Sequence, residues 1–218
     1  MKKTLLMTIF VFGVCGSIQA GTCPTSKLAT YDAVGFTCNI GSLDFSNFSY
    51  HPTGLNTPSD ANVEVDPIPG AESGFEFFAG WSAGIGNVQD SAIKYTVSCD
   101  GCSIIDLVLS MEGNGASGDS FINIAESSGG AVPALLIGEN TSTTVNSDLE
   151  PIPPTGMLNL TKDILLNGGS KGFGAAVSEV DNFFSTTTQT TMTPEPRLLL
   201  LCMGALCLFP VARKIRRA

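Results

Sequence analysis

The amino-acid sequence predicts an all-β fold, an antiparallel sandwich spanning residues 21–184 of the 218-residue chain. Short apolar segments recur along this body, separated by clusters of Gly, Asn, Ser and Pro, which is the rhythm of antiparallel strands and their turns. The run Ile93-Lys94-Tyr95-Thr96-Val97-Ser98-Cys99 alternates strictly between apolar and polar residues, as a half-buried strand does. A two-residue Asp100-Gly101 step then leads into a second apolar run over 102–109, and such a step between two such runs predicts a hairpin.

Taken in order, the body opens with a segment over 26–34 in which Leu28, Tyr31 and Val34 fall at helical spacing, enough for one or two turns. Residues 43–50 read as extended, with Leu43 and Phe45 on one face. The Pro-, Asn-, Asp- and Gly-rich stretch 51–70 reads as loop or short edge strand. Phe75, Phe77, Phe78 and Trp81 form an aromatic segment expected to cover one end of the core. Direct pairing across Asp100-Gly101 sets Val97 opposite Ile104 and Ile93 opposite Val108, with Tyr95 against Asp106 as the least comfortable pair. Further strands are predicted at 120–125, 134–137, 142–145, 157–160 and 163–166. The glycine-rich segment 113–118 reads as a turn, because it lacks the Gly-Lys-Ser/Thr of a phosphate loop. Residues 175–184 suit a strand or, through Ala176, Val180, Phe183 and Phe184, a helix; they are assigned as a strand. The Thr-rich residues 185–193 read as a flexible spacer.

Charge narrows the range of partners. Between 21 and 193 the chain carries 19 acidic residues against four lysines (Lys27, Lys94, Lys162 and Lys171) and no arginine, a net of −15. Nucleic acid is excluded as a partner, since phosphate binding needs clustered Lys and Arg. The body holds four of the seven cysteines, Cys23, Cys38, Cys99 and Cys102. An even set in an oxidising compartment implies two disulfides with three possible pairings, and proximity favours Cys23 with Cys38 and Cys99 with Cys102. A redox Cys-x-x-Cys needs a helix N-terminus to activate its thiol, whereas strand-like residues follow Cys102, so a structural turn disulfide is expected. Zinc would require a second ligand pair that the sequence lacks.

No catalytic constellation emerges. The single histidine, His51, lies between Tyr50 and Pro52 and is read as a surface or loop residue rather than as the base of a Ser-His-Asp arrangement. Asp60, Glu64 and Asp66 are the nearest approach to a cation loop, and their spacing is not that of a calcium motif. Trp81 is assigned to the core in preference to a sugar-stacking platform. No metal and no cofactor is assigned.

The ends of the chain carry the strongest signals. Lys2 and Lys3 precede an apolar run over 5–14 and a small, polar stretch ending at Ala20, the anatomy of a signal peptide over residues 1–20 cut by signal peptidase. At the other end, residues 198–212 are apolar and are followed by Arg213, Lys214, Arg216 and Arg217. Fifteen residues at ~1.5 Å each reach only ~22 Å, short for a ~30 Å hydrocarbon core, and the basic residues should stay cytoplasmic. Pro194-Glu195-Pro196 stands just before this segment, its prolines keeping the site extended. The order of Pro-Glu-Pro, apolar helix and basic tail over 194–218 resembles the PEP-CTERM sorting signal, a tail also labelled after ice-binding proteins in which it occurs. The resemblance implies an exosortase that recognises Pro194, Glu195 and Pro196, removes the hydrophobic tail and passes the body to the cell surface or its exopolysaccharide. More loosely, residues 28–50 resemble a group of PEP-CTERM proteins of unknown biochemical role. The expected function is non-enzymatic display or a structural role at the cell surface or in the extracellular matrix, after a membrane-anchored intermediate. The alternative is a carbohydrate-binding sandwich, with a secreted hydrolase third.

Overall fold

Residues 21–129 and 134–188, the part of the chain that the computed structural model describes, alternate between buried and exposed positions along two facing sheets. The first has the order β1 (Gly21–Thr22), β3 (Thr37–Ile40), β4 (Leu43–Gly54), β7 (Val88–Cys99), β14 (Met157–Asn167), β10 (Phe121–Ser127), β11 (Leu135–Asn140), β12 (Thr143–Val145). The second runs β13 (Ser147–Thr155), β8 (Cys102–Glu112), β15 (Ala175–Thr188), β6 (Glu72–Ala83), β5 (Glu64–Ile68), β2 (Ser26–Lys27), with the short β9 (Gly115–Ala116) beside β15. Apart from the parallel β1–β3 pair, the ladders are antiparallel. One helical turn, α1 (Leu28–Tyr31), lies where the Leu28 and Tyr31 spacing predicts it and buries both side chains.

The inward-facing residues of the two sheets meet in an aromatic core. Phe45 of β4 lies 4.6 Å, ring to ring, from Phe75 of β6, and Tyr95 of β7 stacks on Phe48 at 5.3 Å. Trp81 is fully buried. Each such side chain contributes ~1.5–3 kcal/mol through burial. Gly74 lets β6 approach β15 closely, because a Cβ there would overlap the backbone carbonyl of Asn182.

Several local expectations change. Asp100-Gly101 does not close a hairpin within one sheet. β7 pairs with β4 and β14, whereas β8 pairs with β13 and β15, so the step crosses the sandwich from one sheet to the other. A tight reversal with Gly101 at φ 69° serves either purpose, and the local sequence does not distinguish them. The two strands predicted over 157–166 are one, β14, continuous through Lys162, which faces the core. The Pro-rich segment Ser147–Thr155 is a strand that sequence reasoning passed over, at the sheet edge where missing N–H groups are tolerated. Residues 51–54 belong to β4, and the aromatic residues from Phe75 to Trp81 lie along β6 at the middle of the second sheet rather than over one end. β15 forms as a strand and continues to Thr188, so residues 185–188 of the expected spacer are paired with β8. β-branched threonine suits a strand as well as a stalk.

Candidate functional site

One end of the sandwich gathers three connections: residues 84–87 between β6 and β7, 113–120 around β9, and 168–174 between β14 and β15. The last, Gly168-Gly169-Ser170-Lys171-Gly172-Phe173-Gly174, has the composition of a floppy loop, yet its neighbours fix it. Asp119 accepts hydrogen bonds from the backbone N–H of Ser170 and of Lys171, both at 2.7 Å, and from the Ser170 hydroxyl at 2.6 Å. The Ser170 hydroxyl foremost, then the Lys171 N–H, holds the Asp119 carboxyl down at about 2. Ser117 Oγ accepts the Phe173 N–H at 2.6 Å, and Ser120 Oγ donates to the Gly174 carbonyl at 2.8 Å. Gly86 N–H donates to the Gly169 carbonyl at 2.7 Å, and Gly168 N–H to that of Asn87 at 2.9 Å, which ties the loop to 84–87. Gly169, Gly172 and Gly174 adopt positive φ angles of 63°, 94° and 92°, so the path is one that glycine alone follows without strain.

This bonding leaves Phe173 97% exposed. Phe173 lines a shallow recess of about 480 Å³ together with Ser82, Gly84, Ser117, Gly174 and Ala176 among others. A bare aromatic ring on a backbone held from both sides is pre-organised for a flat ligand, because little loop entropy remains to be lost on binding. Among the described residues it is also the aromatic side chain that departs most from burial: Trp81, Tyr31, Tyr50 and Tyr95 are all in the core. Sequence reasoning considered Trp81 and passed over Phe173, whose only signal was a large apolar residue flanked by glycines.

The outer faces of the sheets are acidic. On the second, Asp66, Glu76, Asp181 and Ser110 form one row across β5, β6, β15 and β8, with Glu179 and Glu112 beside it. Burial, then the charges of Glu179, Asp66 and Glu112, raises Glu76; burial, then Asp181 and Glu112, raises Glu179. Asp181 is pushed up to about 6 by burial, although the Ser110 hydroxyl and Lys162 pull the other way. On the first sheet Asp163 is also raised to about 6, by burial and then by the hydrogen bond and charge of Asp90.

The remaining sequence candidates are dispersed. His51 lies exposed on β4 opposite Ala92. Asp60 accepts its neighbour's N–H from Ala61, Glu64 pairs with Lys27 at 2.8 Å, and Asp66 accepts from Thr25. Among the described residues no three His, Cys, Asp or Glu side chains gather into a metal-holding group. Cys23 is bonded to Cys38 and Cys99 to Cys102, with Cα separations of 4.7 and 5.3 Å; the second bridge spans the corner between the sheets. Pro194, Glu195 and Pro196, the basic residues Arg213, Lys214, Arg216 and Arg217, the apolar segment and the signal peptide lie outside the described residues.

No family model matches the chain, and no curated protein does. Solved structures with which it shares partial likeness include TmCBM61 in complex with β-1,4-galactotriose, at 12% identity and a TM-score of 0.27 over 64% of this chain and 88% of the other. A second is the enzymatically active domain of tailspike protein 4 from bacteriophage CBA120, at 14% identity and a TM-score of 0.30 over 64% of this chain and 19% of that one. A third comes from carbohydrate-binding modules of the β-sandwich superfamily, at 11% identity and a TM-score of 0.25 over 77% and 63%. At such low TM-scores and identities these likenesses carry no argument about what this chain does.

Proposed function

We propose that this chain is an exported, non-enzymatic cell-surface module that binds a neutral carbohydrate at the loop end of its sandwich. The observation that carries this reading is Phe173, bare to solvent on a loop held by Asp119, Ser117 and Ser120, and lining an open recess. Aromatic rings stack on the apolar faces of sugar rings, and the small side chains and backbone groups around the recess leave room for hydroxyls. The net charge of −15 between 21 and 193 disfavours anionic polymers, which directs the reading to uncharged glycans. Export rests on the signal-peptide anatomy of residues 1–20 and fits a body whose four cysteines pair. Sorting rests on the resemblance carried by Pro194, Glu195 and Pro196, with exosortase as the processing partner and exopolysaccharide as the matrix in which such a module would sit. Electrophoresis through gels containing neutral polysaccharides tests the binding: the wild-type chain should be retarded in at least one, and Phe173→Ala should migrate as in a gel without polysaccharide. Equal migration of both proteins in every gel would remove the proposal.

A further inference from the structure

A second constellation lies inside the sandwich, away from the loop end. Lys162 of β14 and Glu126 of β10 are register partners on the first sheet, and Asn182 of β15 reaches them from the second; all three are fully buried. Lys162 Nζ lies 3.1 Å from Glu126 Oε2, while Asn182 Nδ2 donates to Glu126 Oε1 at 2.7 Å. One carboxyl group thus touches both the amine and the amide nitrogen. The Tyr95 hydroxyl donates to Asn182 Oδ1 at 2.9 Å, and Nδ2 also donates to the Val108 carbonyl at 3.2 Å. Nζ donates to the Asp181 carbonyl at 3.3 Å and lies 5.8 Å from the centre of the Phe77 ring. A buried ion pair gains little over apolar residues of the same volume, so stability alone does not account for these three groups.

We propose that Lys162 and Asn182 join in an intramolecular isopeptide bond between the two sheets, with Glu126 as the group that moves the proton. Burial lowers the Lys162 pKa against the opposing pull of Glu126, so that passing a proton from Nζ to the carboxylate leaves a neutral amine in a dry site. The Nζ lone pair attacks Asn182 Cγ, the new C–N bond forms, and the carbonyl electrons move onto Oδ1. There the Tyr95 O–H, kept protonated by its burial, holds the developing charge. Glu126 delivers the proton to Nδ2, the Cγ–Nδ2 bond breaks, ammonia leaves and the carbonyl re-forms. A second proton passes from Nζ to the Glu126 carboxylate, which ends protonated, and leaves a neutral amide. Amine and primary amide become secondary amide and ammonia, with no oxidant, reductant or other reactant. The bond ties β14 to β15 across the core and, unlike the Cys99–Cys102 bridge, resists reduction.

Peptide mapping of the reduced, alkylated mature protein, recovered after expression of the full chain, tests this. The expected result is a branched peptide joining Lys162 to Asn182, lighter by one ammonia than its two linear parts, with trypsin failing to cut after Lys162. Glu126→Gln should lower the branched fraction at least tenfold. Asn182→Asp should give the same branched mass by losing water instead. Linear peptides and cleavage after Lys162 in the folded wild-type protein would overturn the proposal without recourse to any variant. So would an ammonia loss that maps to Asn114-Gly115 or Asn167-Gly168 and is reversed by mild alkali, the behaviour of a succinimide.

Discussion

Asp181→Asn should stabilise the protein at neutral pH. Asp181 is nearly buried on the outer face of the second sheet, where Glu76 is its register partner and Glu179 and Glu112 stand close. Its pKa of about 6 lies above the ~3.9 of an unfolded aspartate. The folded state therefore binds the proton more tightly than the unfolded chain. The resulting stability is complete below ~3.9 and is lost as pH rises through about 6. At ~1.4 kcal/mol per unit the difference is at most ~3 kcal/mol, and partial solvent screening on an open sheet face brings it to ~1.5 kcal/mol. Asp163, Glu76 and Glu179 shift in the same direction. An asparagine at 181 can still accept the Ser110 hydroxyl, now 2.8 Å from Oδ2, while offering its amide protons to the neighbouring carboxylates. Urea unfolding with the disulfides intact, at pH 5 and pH 7.5, measures this. The wild-type protein should be more stable at pH 5, and Asp181→Asn should gain ~1.5 kcal/mol at pH 7.5 and flatten the dependence. A wild-type stability that rises from pH 5 to 7.5, or an unchanged slope in the variant, would refute the reasoning.

Other consequences follow from burial and bonding. Trp81→Ala should cost ~3–5 kcal/mol in the same unfolding assay, since its side chain is fully buried between the sheets. Replacing Cys23 and Cys38 together by serine should cost ~3 kcal/mol, the chain-entropy value for a link across 15 residues. Asp119→Ala should speed hydrogen exchange at the amides of Ser170 and Lys171, which lose their acceptor, while amides in β14 keep their protection. Asp119 also sets the acid limit: its contribution is present above ~3.9 and is lost as pH falls through about 2, so the protection of those amides relative to their unfolded exchange rates should fall only in strong acid.

Much of the architecture was legible because β-strands write their burial with a period of two. The alternation from Ile93 to Cys99, the separation of strands by Gly and Pro, and the disulfide pairing by proximity all persist in the fold. What failed depends on tertiary placement. Asp100-Gly101 announces a reversal without saying whether the chain returns within its own sheet or across to the other. Lys162 read as a break between two strands because its partner Glu126 is 36 residues away in sequence and becomes a neighbour only when β10 pairs with β14. Pro151, Pro153 and Pro154 fall in a segment to which the sequence reading assigned no strand, and the sheet edge accommodates them. The loop end was invisible for a related reason: a glycine-rich segment reads as flexible, and its rigidity comes from Asp119, some 50 residues earlier in the chain.

Calorimetric titration of neutral oligosaccharides, including fragments of the producing cell's exopolysaccharide, into wild-type protein and Phe173→Ala tests the central claim most directly. Stacking one face of the ring buries roughly 75–125 Å², worth ~2–3 kcal/mol, so the variant should bind roughly 30- to 150-fold more weakly while unfolding as the wild type does. A wild-type protein that binds none of these glycans, or a variant that binds them equally well, would contradict the account.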